Sequence, residues 1–386
     1  MFQLSKFIIR ISVVKYISYP VLIFLFTRVF LILILQSGFT FLTLPFSQNY
    51  YDLFPNKIFL NGLLQWDSGW YAITASEGYS LTKYPLHNNL TFMPMYPILI
   101  RFLISMGINV FVAGIIISNI SLLLATIIIY RFITNLFSKD IANKTIILLL
   151  LNPFSIFFSA MYTESLFLLF TVVTFYNFFK KRWFITSIFA SLAGLTHIIG
   201  LIVPVICLLS FLIINKFKLT KLYKSMLLLL IGFLGPVLYL IFIQIKFGSF
   251  WLIFQSQQNF GGLFYKRLAY VYQVINFMIF NNVLVHLPNL FIIFLHLFLG
   301  FLSIYLILKT WKKLPIYLSL WALFALIISF ADPPCLGRHI ITFFPVFISF
   351  VLLIQNHKNL YRFTLGISIV LFILISLLFS HGYFVA

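Results

Sequence analysis

Apolar runs long enough to cross a bilayer recur along most of this chain and restrict its fold more than any other feature. A transmembrane helix needs about 20 consecutive apolar residues, and runs near this length alternate here with short clusters of Lys and Arg. With 62% hydrophobic and 8% charged residues, the chain carries more apolar surface than a water-soluble fold of this length can bury. Because the runs are helix-length rather than short and alternating, they predict an all-α polytopic membrane protein and not a barrel.

Eleven membrane-crossing helices are predicted when each apolar run is placed between neighbouring basic clusters. They lie near residues 17–37, 108–130, 145–161, 164–179, 183–197, 198–214, 226–245, 287–308, 315–331, 339–355 and 363–380. The apolar stretch 269–285 fits a re-entrant or interfacial segment as well as a span, so its placement stays open. No tandem repeat or low-complexity linker divides the chain, and residues 1–386 are expected to form one domain.

The basic residues are distributed unevenly between the two sides of this predicted bundle. With a cytoplasmic N-terminus, most of the 26 Lys and Arg residues fall in cytoplasmic loops, as the positive-inside rule requires. The outer loops hold Lys57, Lys83, Arg101, Lys246, Lys266, Arg267 and Arg338. The net charge of +20 is therefore interpreted as a topology signal, and no nucleic-acid partner is expected.

Acidic residues are scarce, numbering six in the whole chain. In the same topology Asp140 alone falls inside, and the outer acids are Asp52, Asp67, Glu77, Glu164 and Asp332. Acidic residues contribute little to membrane insertion, so insertion does not explain why they gather on one side. Their distribution predicts chemistry at the outer, extracytoplasmic or luminal, face of the membrane.

The long loop after the first span contains the most unusual stretch, residues 65–79, which is aromatic, polar and punctuated by glycine. We predict a short helix over residues 66–77, with Asp67 at its start and Gly78 at its end. Asp67 fits two roles: a general base that takes the proton of an acceptor hydroxyl, or a helix cap in an interfacial aromatic belt. The large first outer loop is thus expected to carry short interfacial helices and the candidate catalytic residue.

Aromatic side chains around Asp67 are candidates for binding a sugar. At helical spacing Trp66 and Trp70 share one face of the predicted helix, and Tyr71 shares the neighbouring face with Asp67. All three rings are expected to stack on sugar faces. Later in the loop, residues 92–97 contain two prolines and predict a rigid extended turn that leads into the next helix.

Four further polar residues are candidates for substrate binding. Glu164 is expected in the first turn of the fourth span, where it either complements the helix dipole or has a functional role. Arg338 and His339 suit an anionic phosphate, although Arg338 fits a loop salt bridge with Asp332 equally well. Arg28 is the one Lys or Arg inside a predicted span, and an ionisable group there usually has a partner, such as a lipid phosphate or an outer carboxylate.

Sequence motifs for metal ions and nucleotides are absent. The chain has no HExxH motif, no paired cysteines and no glycine-rich phosphate loop, so neither a metal nor a cofactor is expected. His197 and His296 stand alone in the sequence, and lone histidines are more often satisfied core groups than ligands. A glycosyl donor would therefore have to be lipid-linked rather than a soluble nucleotide sugar.

Three blocks of the chain together resemble the GPI mannosyltransferase 2 (PIG-V) family. The blocks are Gln65–Tyr79 with Phe92–Pro97, Asn152–Ser155 with Tyr162–Phe167, and Arg338-His339 followed by Phe344-Pro345. They occur in the family's order and span most of the chain. His197 departs from the pattern, which is expected to have Arg or Ser there, and the chain is compact, as in prokaryotic relatives. These departures leave the acceptor open.

This resemblance implies a GT-C-type integral-membrane bundle that takes mannose from a polyprenyl (dolichyl) phosphate donor on the extracytoplasmic or luminal side. Asp67 carries over as the catalytic carboxylate of the first loop. The acceptor is a hydroxyl of a glycolipid, a glycan or a protein, and membrane lipid surrounds the bundle. The expected location is the plasma membrane in a prokaryote or the endoplasmic reticulum membrane in a eukaryote, as a multi-pass protein.

The remaining candidates receive roles in the expected reaction, which inverts the anomeric carbon. Arg28, Arg338 or His339 would stabilise the charge of the phosphate leaving group, while Glu77 and Glu164 would position hydroxyls. The alternative is a transporter or flippase for a lipid-linked saccharide, a class that concentrates ionisable groups near the membrane midplane. Because charge is almost absent from the predicted spans and the acids gather on one face, the sequence favours the enzyme.

Overall fold

The computed structural model describes residues 2–42, 58–81, 88–217, 223–259 and 283–385, together with residues 272 and 276. These residues form helices and turns, with no β-strand in the described ranges. The helices are α1 (Phe2–Phe41), α2 (Ile58–Asn61), α3 (Ser68–Glu77), α4 (Met95–Ser105), α5 (Val110–Leu136), α6 (Lys139–Leu150), α7 (Glu164–Phe179), α8 (Trp183–Thr196), α9 (Val203–Ile214), α10 (Tyr223–Leu230), α11 (Leu234–Phe247), α12 (Leu252–Asn259), α13 (Val283–Thr310), α14 (Ile316–Ser329), α15 (Leu336–Ile340), α16 (Phe344–Ile354) and α17 (Lys358–Ser380). Most of the stretch 269–285, and Asp52 with it, lies outside the described residues.

Long apolar helices confirm the prediction of an all-α polytopic membrane protein. Five described helices have the length and hydropathy to cross a membrane: Ile17–Phe41, Val110–Leu136, Tyr223–Phe247, Leu290–Thr310 and Lys358–Ser380. A sixth results if Pro333–Ile340 and Phe344–Ile354, which are bent by 71°, count as one span. The predicted spans 164–179, 183–197, 198–214 and 315–331 correspond to shorter apolar helices. The described helices thus supply fewer full-length spans than the eleven predicted.

The predicted third span, residues 145–161, is wrong as a continuous helix. Helix α6 ends at Leu150, and a turn at 151–154 leads into a 3-10 helix, Ser155–Phe158. Proline lacks an N–H and clashes with the preceding turn of a helix, so Pro153 accounts for the break. The break leaves carbonyl groups at the end of α6 without helical partners.

Arg28 of α1 binds this break, which differs from the lipid phosphate or carboxylate partner expected from the sequence. Its guanidinium donates to the carbonyl of Leu150 at 2.9 Å and to the carbonyl of Ser155 at 3.2 Å. It also donates to the hydroxyls of Ser155 and Ser159, at 3.0 and 2.9 Å. Arg28 is buried. It donates to carbonyls that the broken helix leaves without helical partners and therefore has a structural role in this fold.

Replacing Arg28 by Met is expected to destabilise the protein, because four hydrogen bonds are lost and two buried carbonyls lose a donor. The loss is about 3 kcal/mol in the free energy of unfolding, measured as a lower apparent Tm of the purified protein in detergent. Arg131→Met, at an exposed position of α5, is the matched control. Equal Tm values for the two variants would contradict this role of Arg28.

Residues 92–97 do not form the extended turn predicted from their prolines. Helix α4 begins at Met95, directly after Pro94, and Pro97 lies in its first turn. The first residues of a helix have no intrahelical acceptor for their N–H groups, so a proline is tolerated there. The two prolines therefore lie at the start of α4, and no separate extended turn precedes the helix.

Helix α7 organises the bundle around the candidate site. It is buried along almost its whole length and packs between α5 and α8. Helix α3 packs on α4 and α5, while α15 packs on α13. Glu164 begins α7, and the basic residues Lys180, Lys181 and Arg182 follow its other end, which lies about 24 Å away for 16 helical residues. Glu164 and the basic cluster therefore occupy opposite ends of this helix.

Candidate active site

An ion-pair cluster joins three segments that are distant in the sequence. Arg338 of α15 places Nη1 at 2.8 Å from Oδ2 of Asp67, at the start of α3, and Nε at 3.0 Å from Oε1 of Glu164, the first residue of α7. The side chain of Glu164 is 1% exposed, that of Arg338 13% and that of Asp67 29%. Asp67 is therefore the member of the cluster that a substrate can reach most readily.

The backbone before α3 directs the Asp67 carboxylate toward Arg338. Trp66 adopts a left-handed conformation with φ 55°, which is uncommon for a residue other than glycine. The N–H of Asp67 donates to the hydroxyl of Tyr162 at 3.2 Å, and that hydroxyl donates to the carbonyl of Gln65 at 3.1 Å. The Asp67 side chain makes no capping hydrogen bond to α3. The structure therefore contradicts the helix-cap interpretation of this carboxylate. The predicted short helix and its end at Gly78 are confirmed, but the helix begins at Ser68, two residues later than predicted.

Tyr162 packs against the ion-pair cluster, and it was not among the candidate site residues chosen from the sequence. The guanidinium carbon of Arg338 lies 5.2 Å from the centre of the Tyr162 ring and 5.8 Å from that of Phe157, within the range of cation–π attraction. Burial is the largest cause that raises the pKa of the Tyr162 phenol well above its usual range. Tyr162 is therefore a neutral hydrogen-bond donor. Its place two residues before Glu164 in the motif was the available signal.

Ion pairs with Asp67 and Glu164 fix the guanidinium of Arg338. Asp332, which the sequence offered as one alternative partner, is neither of these two acids. Glu164 was expected to position a substrate hydroxyl. That role stays a prediction; in the structure Glu164 is buried, and its ion pair is with Arg338. A buried carboxylate is stable when a cation compensates its charge, and the N-terminus of α7 adds a favourable dipole.

The aromatic residues of the first loop contact protein groups. Trp66 donates its indole N–H to the carbonyl of Tyr383 at 3.2 Å, and the Trp70 ring stacks on Phe92 with centroids 5.7 Å apart. Tyr71 is buried, and its hydroxyl lies 3.3 Å from that of Thr163. Burial first, and then the charges of the nearby acids, raise its pKa well above the usual range. Sugar stacking by these three residues stays a prediction.

Two predicted site residues lie apart from the ion-pair cluster. Glu77, the last residue of α3, is exposed and lies about 15 Å from Asp67 along the helix. Arg28 is bound at the break after α6, as described above.

His339 is a neighbour of Arg338 in sequence, is buried, and its ring lies 5.4 Å from the ring of His197. His197 in turn stacks on Phe167.

His296 of α13 fixes the segment that carries Arg338, a role that no sequence pattern indicated. The N–H of Gly337 donates to Nδ1 of His296 at 2.7 Å, and Nε2 lies 3.1 Å from the carbonyl of Val385. Since Nδ1 accepts, Nε2 carries the proton and donates to that carbonyl. His296 is thus a satisfied core group, as expected for a lone histidine, and it ties α15 to α13.

Among the described residues, no group of three or more His, Cys, Asp or Glu side chains has the arrangement of a metal site. Next to the ion-pair cluster there is a cavity of about 10 Å³, enclosed by Trp66, Asp67, Tyr162, Arg338, Phe379, Phe384 and Val385. This volume holds less than a sugar. The space beside Asp67 in this structure is therefore smaller than a sugar.

The described helices form an all-helical, multi-pass integral-membrane protein, in which the partly exposed carboxylate of Asp67 pairs with an arginine whose side chain is 13% exposed. The chain belongs to the PIG-V mannosyltransferase family: the family model described as "Mannosyltransferase (PIG-V)" matches residues 10–320. This confirms the resemblance seen in the sequence and identifies the chain as a membrane mannosyltransferase. No curated protein matches it significantly. Asp67 and Glu164 lie inside the matched range, whereas Arg338 and His339 lie beyond it.

Proposed function

We propose that the chain transfers a mannosyl residue from a polyprenyl-phosphate-linked donor to an acceptor hydroxyl on the extracytoplasmic or luminal side of the membrane. The observation that carries this proposal is the Asp67–Arg338–Glu164 cluster in a member of a mannosyltransferase family. The acceptor belongs to a glycolipid, a glycan or a protein. The membrane is the plasma membrane in a prokaryote or the endoplasmic reticulum membrane in a eukaryote.

In the proposed reaction, Asp67 is the general base. The acceptor oxygen forms a bond to the anomeric carbon while the bond from that carbon to the phosphate oxygen breaks. The phosphate keeps the electron pair of the broken bond, and Asp67 takes the proton of the acceptor hydroxyl. Because the acceptor attacks opposite the leaving group, the anomeric configuration is inverted, as in a GT-C-type enzyme.

Arg338 has two tasks in this scheme. It fixes the Asp67 carboxylate through Oδ2, and a guanidinium carries five N–H donors, so further donors are available for the phosphate as its charge develops. Glu164 is a positioning residue, because its buried carboxylate holds Nε of Arg338. A fixed cation beside the base costs no reorganisation during the reaction, which is how preorganised charges accelerate transfer.

The position of the cluster supports chemistry on the outer side. Glu164 and the basic residues 180–182 lie at opposite ends of α7, and clusters of Lys and Arg mark the cytoplasmic side. Membership in a mannosyltransferase family favours transfer over the alternative of a saccharide flippase. Arg28, the one Lys or Arg in the span Ile17–Phe41 of α1, is bound to a broken helix, which favours the enzyme over a transporter.

The choice of donor tests the proposal. Purified protein in lipid nanodiscs is expected to consume polyprenyl-phosphate-mannose in the presence of a membrane-extract acceptor fraction and to leave GDP-mannose intact. The measurement is mass spectrometry of both donors and of the acceptor fraction over time. Consumption of GDP-mannose with an unchanged lipid donor would refute the lipid-linked donor.

A further inference from the structure

The chain turns back after α17 and places residues 383–385, the closing segment, against the ion-pair cluster. Gly382 has φ 84°, a left-handed conformation that commonly ends a helix and that glycine adopts without strain. The N–H of Gly382 donates to the carbonyl of Phe379 at 3.0 Å, and the N–H of Tyr383 donates to the carbonyl of Leu378 at 3.0 Å. This turn therefore sets the direction in which the closing segment leaves α17.

Two hydrogen bonds to main-chain carbonyls hold the closing segment in this place. The indole N–H of Trp66 donates to the carbonyl of Tyr383 at 3.2 Å, and Nε2 of His296 donates to the carbonyl of Val385 at 3.1 Å. The Phe384 ring also packs edge-on against the Trp66 ring, with centroids 5.0 Å apart. The closing segment is thus attached to α13 and to the residue that precedes Asp67.

The closing segment fills space that the proposed reaction requires. Phe384 and Val385 enclose a cavity together with Trp66, Asp67 and Arg338, and Val385 is 0% exposed. The cavity that remains is about 10 Å³, which is room for about one water molecule. A sugar between the carboxylate and the guanidinium needs far more space. In this conformation the site is therefore closed on the side of the closing segment.

The contacts of the closing segment are of a kind that opens readily. Residues 383–385 belong to no helix or strand, so their release disrupts no ladder of backbone hydrogen bonds. Water can replace the donor at a released carbonyl, which makes the net contribution of each such bond small. Phe384 is 47% exposed and gains only part of the burial available to its ring. Segments with these properties are the ones that open locally in folded proteins.

We propose that the closing segment is a gate over the site, which moves away about Gly382 to admit the sugar and the acceptor hydroxyl beside Asp67 and Arg338. In the closed state Phe384 covers part of Trp66, the ring predicted to stack on a sugar, so the segment and the substrate compete for the same space. The gate rests on the proposed role of Asp67 and Arg338 in transfer. Because substrate binds only the open state, its apparent affinity falls in proportion to the open fraction.

Thiol labelling measures the opening without requiring transfer. Val385→Cys in the full chain, in nanodiscs, is treated with a water-soluble maleimide, and mass spectrometry follows the peptide that contains position 385. Ser105→Cys, at the exposed end of α4, gives the rate for an accessible thiol. Labelling at position 385 is expected to be about 10- to 1,000-fold slower, as for a minor open state. When closing is faster than labelling, the ratio of the two rates is the open fraction.

Gly382→Ala in the Val385→Cys background is expected to raise the labelling rate about tenfold, because a side chain strains the left-handed turn that directs the segment onto the site. Gly248→Ala introduces the same strain at φ 85° after α11, where an added Cβ has nothing within 4 Å. Gly366→Ala lies within α17 and also meets open space. Both controls are expected to label at the rate of the Val385→Cys parent.

Trp66→Phe is a second variant for the labelling experiment and does not depend on the turn. It keeps an aromatic ring and removes the N–H that donates to Tyr383, so labelling at position 385 is expected to rise about fivefold. Labelling as fast as that of Ser105→Cys in the parent would show that the closed state is not populated. Labelling unchanged by both substitutions would show a fixed wall. Either result would overturn the gate.

Transfer assays separate the gate from the proposed function. Gly382→Ala in the otherwise native chain is expected to lower the KM for polyprenyl-phosphate-mannose by the same factor by which it raises labelling. If labelling rises while transfer keeps the wild-type KM, the segment is not on the substrate's route, so the gate is wrong and the activity stands. If labelling rises but the wild type transfers no mannose from this donor, the opening of the segment stands and the proposed activity is wrong.

Discussion

Replacing Asp67 by Asn is expected to reduce mannosyl transfer by about 100- to 10,000-fold, the usual contribution of a general base. The amide has the shape of the carboxylate, and its oxygen can still accept from Nη1 of Arg338, so the site keeps its geometry. It cannot take up the proton of the acceptor hydroxyl. The measurement is the initial rate of transfer from polyprenyl-phosphate-mannose by the purified variant in nanodiscs.

Asp140→Asn is the matched control for this substitution. Asp140 lies in the first turn of α6, its side chain is 65% exposed, and its ion pair is with Lys144, so the same change from carboxylate to amide is made away from the ion-pair cluster. It is expected to transfer at a rate close to wild type. A wild-type rate for Asp67→Asn, or an equal loss for both variants, would exclude Asp67 as the specific base.

The sequence identified Asp67, Glu164 and Arg338 because each is unusual where it stands. Because the chain has only six acids, membrane insertion does not explain a carboxylate between two tryptophans or at the start of an apolar helix. Composition and charge distribution made these residues candidates, and the resemblance to a known family favoured a functional role for Asp67. Composition and charge distribution also sufficed for the fold class, since the length and polarity of a membrane helix are set by the bilayer itself.

The contacts among these residues could not be predicted from the sequence. Arg338 binds a carboxylate 271 positions away, and the local pattern suggested the nearer Asp332 instead. Which acid an arginine meets depends on how α3, α7 and α15 pack, and that packing is decided by the shapes of many apolar side chains. Tyr162 and His296 also contact segments that are distant in the sequence, so their roles could be identified only from the structure.

The broken helices show the same limit on a smaller scale. Pro153 was visible in the sequence, but its effect depended on Arg28, which supplies donors for the carbonyl groups that the break exposes. Hydropathy alone counts residues 145–161 as a span because the broken segment is apolar. The cost of a break in a membrane helix is the unsatisfied backbone, and a distant arginine removes that cost.

Replacing Arg338 by Met is expected to be the most damaging single change in the cluster. Glu164 is 1% exposed, so the variant leaves a buried carboxylate without its cation, at a cost of about 3–5 kcal/mol in the free energy of unfolding. Transfer is expected to be lost at the same time, because Asp67 loses the group that holds Oδ2. The measurements are the apparent Tm in detergent and the transfer rate of the protein that remains folded.

A second substitution separates the two effects of Arg338. In Arg338→Met with Glu164→Gln, the uncompensated buried charge is gone, and most of the lost Tm is expected to return. Asp67 is 29% exposed and stays hydrated, so it needs no replacement. Transfer is expected to stay lost in the double variant, because the base is still without its positioning cation. A double variant no more stable than Arg338→Met would show that Glu164 and Arg338 are not coupled, and recovery of transfer would show that Arg338 serves the fold alone.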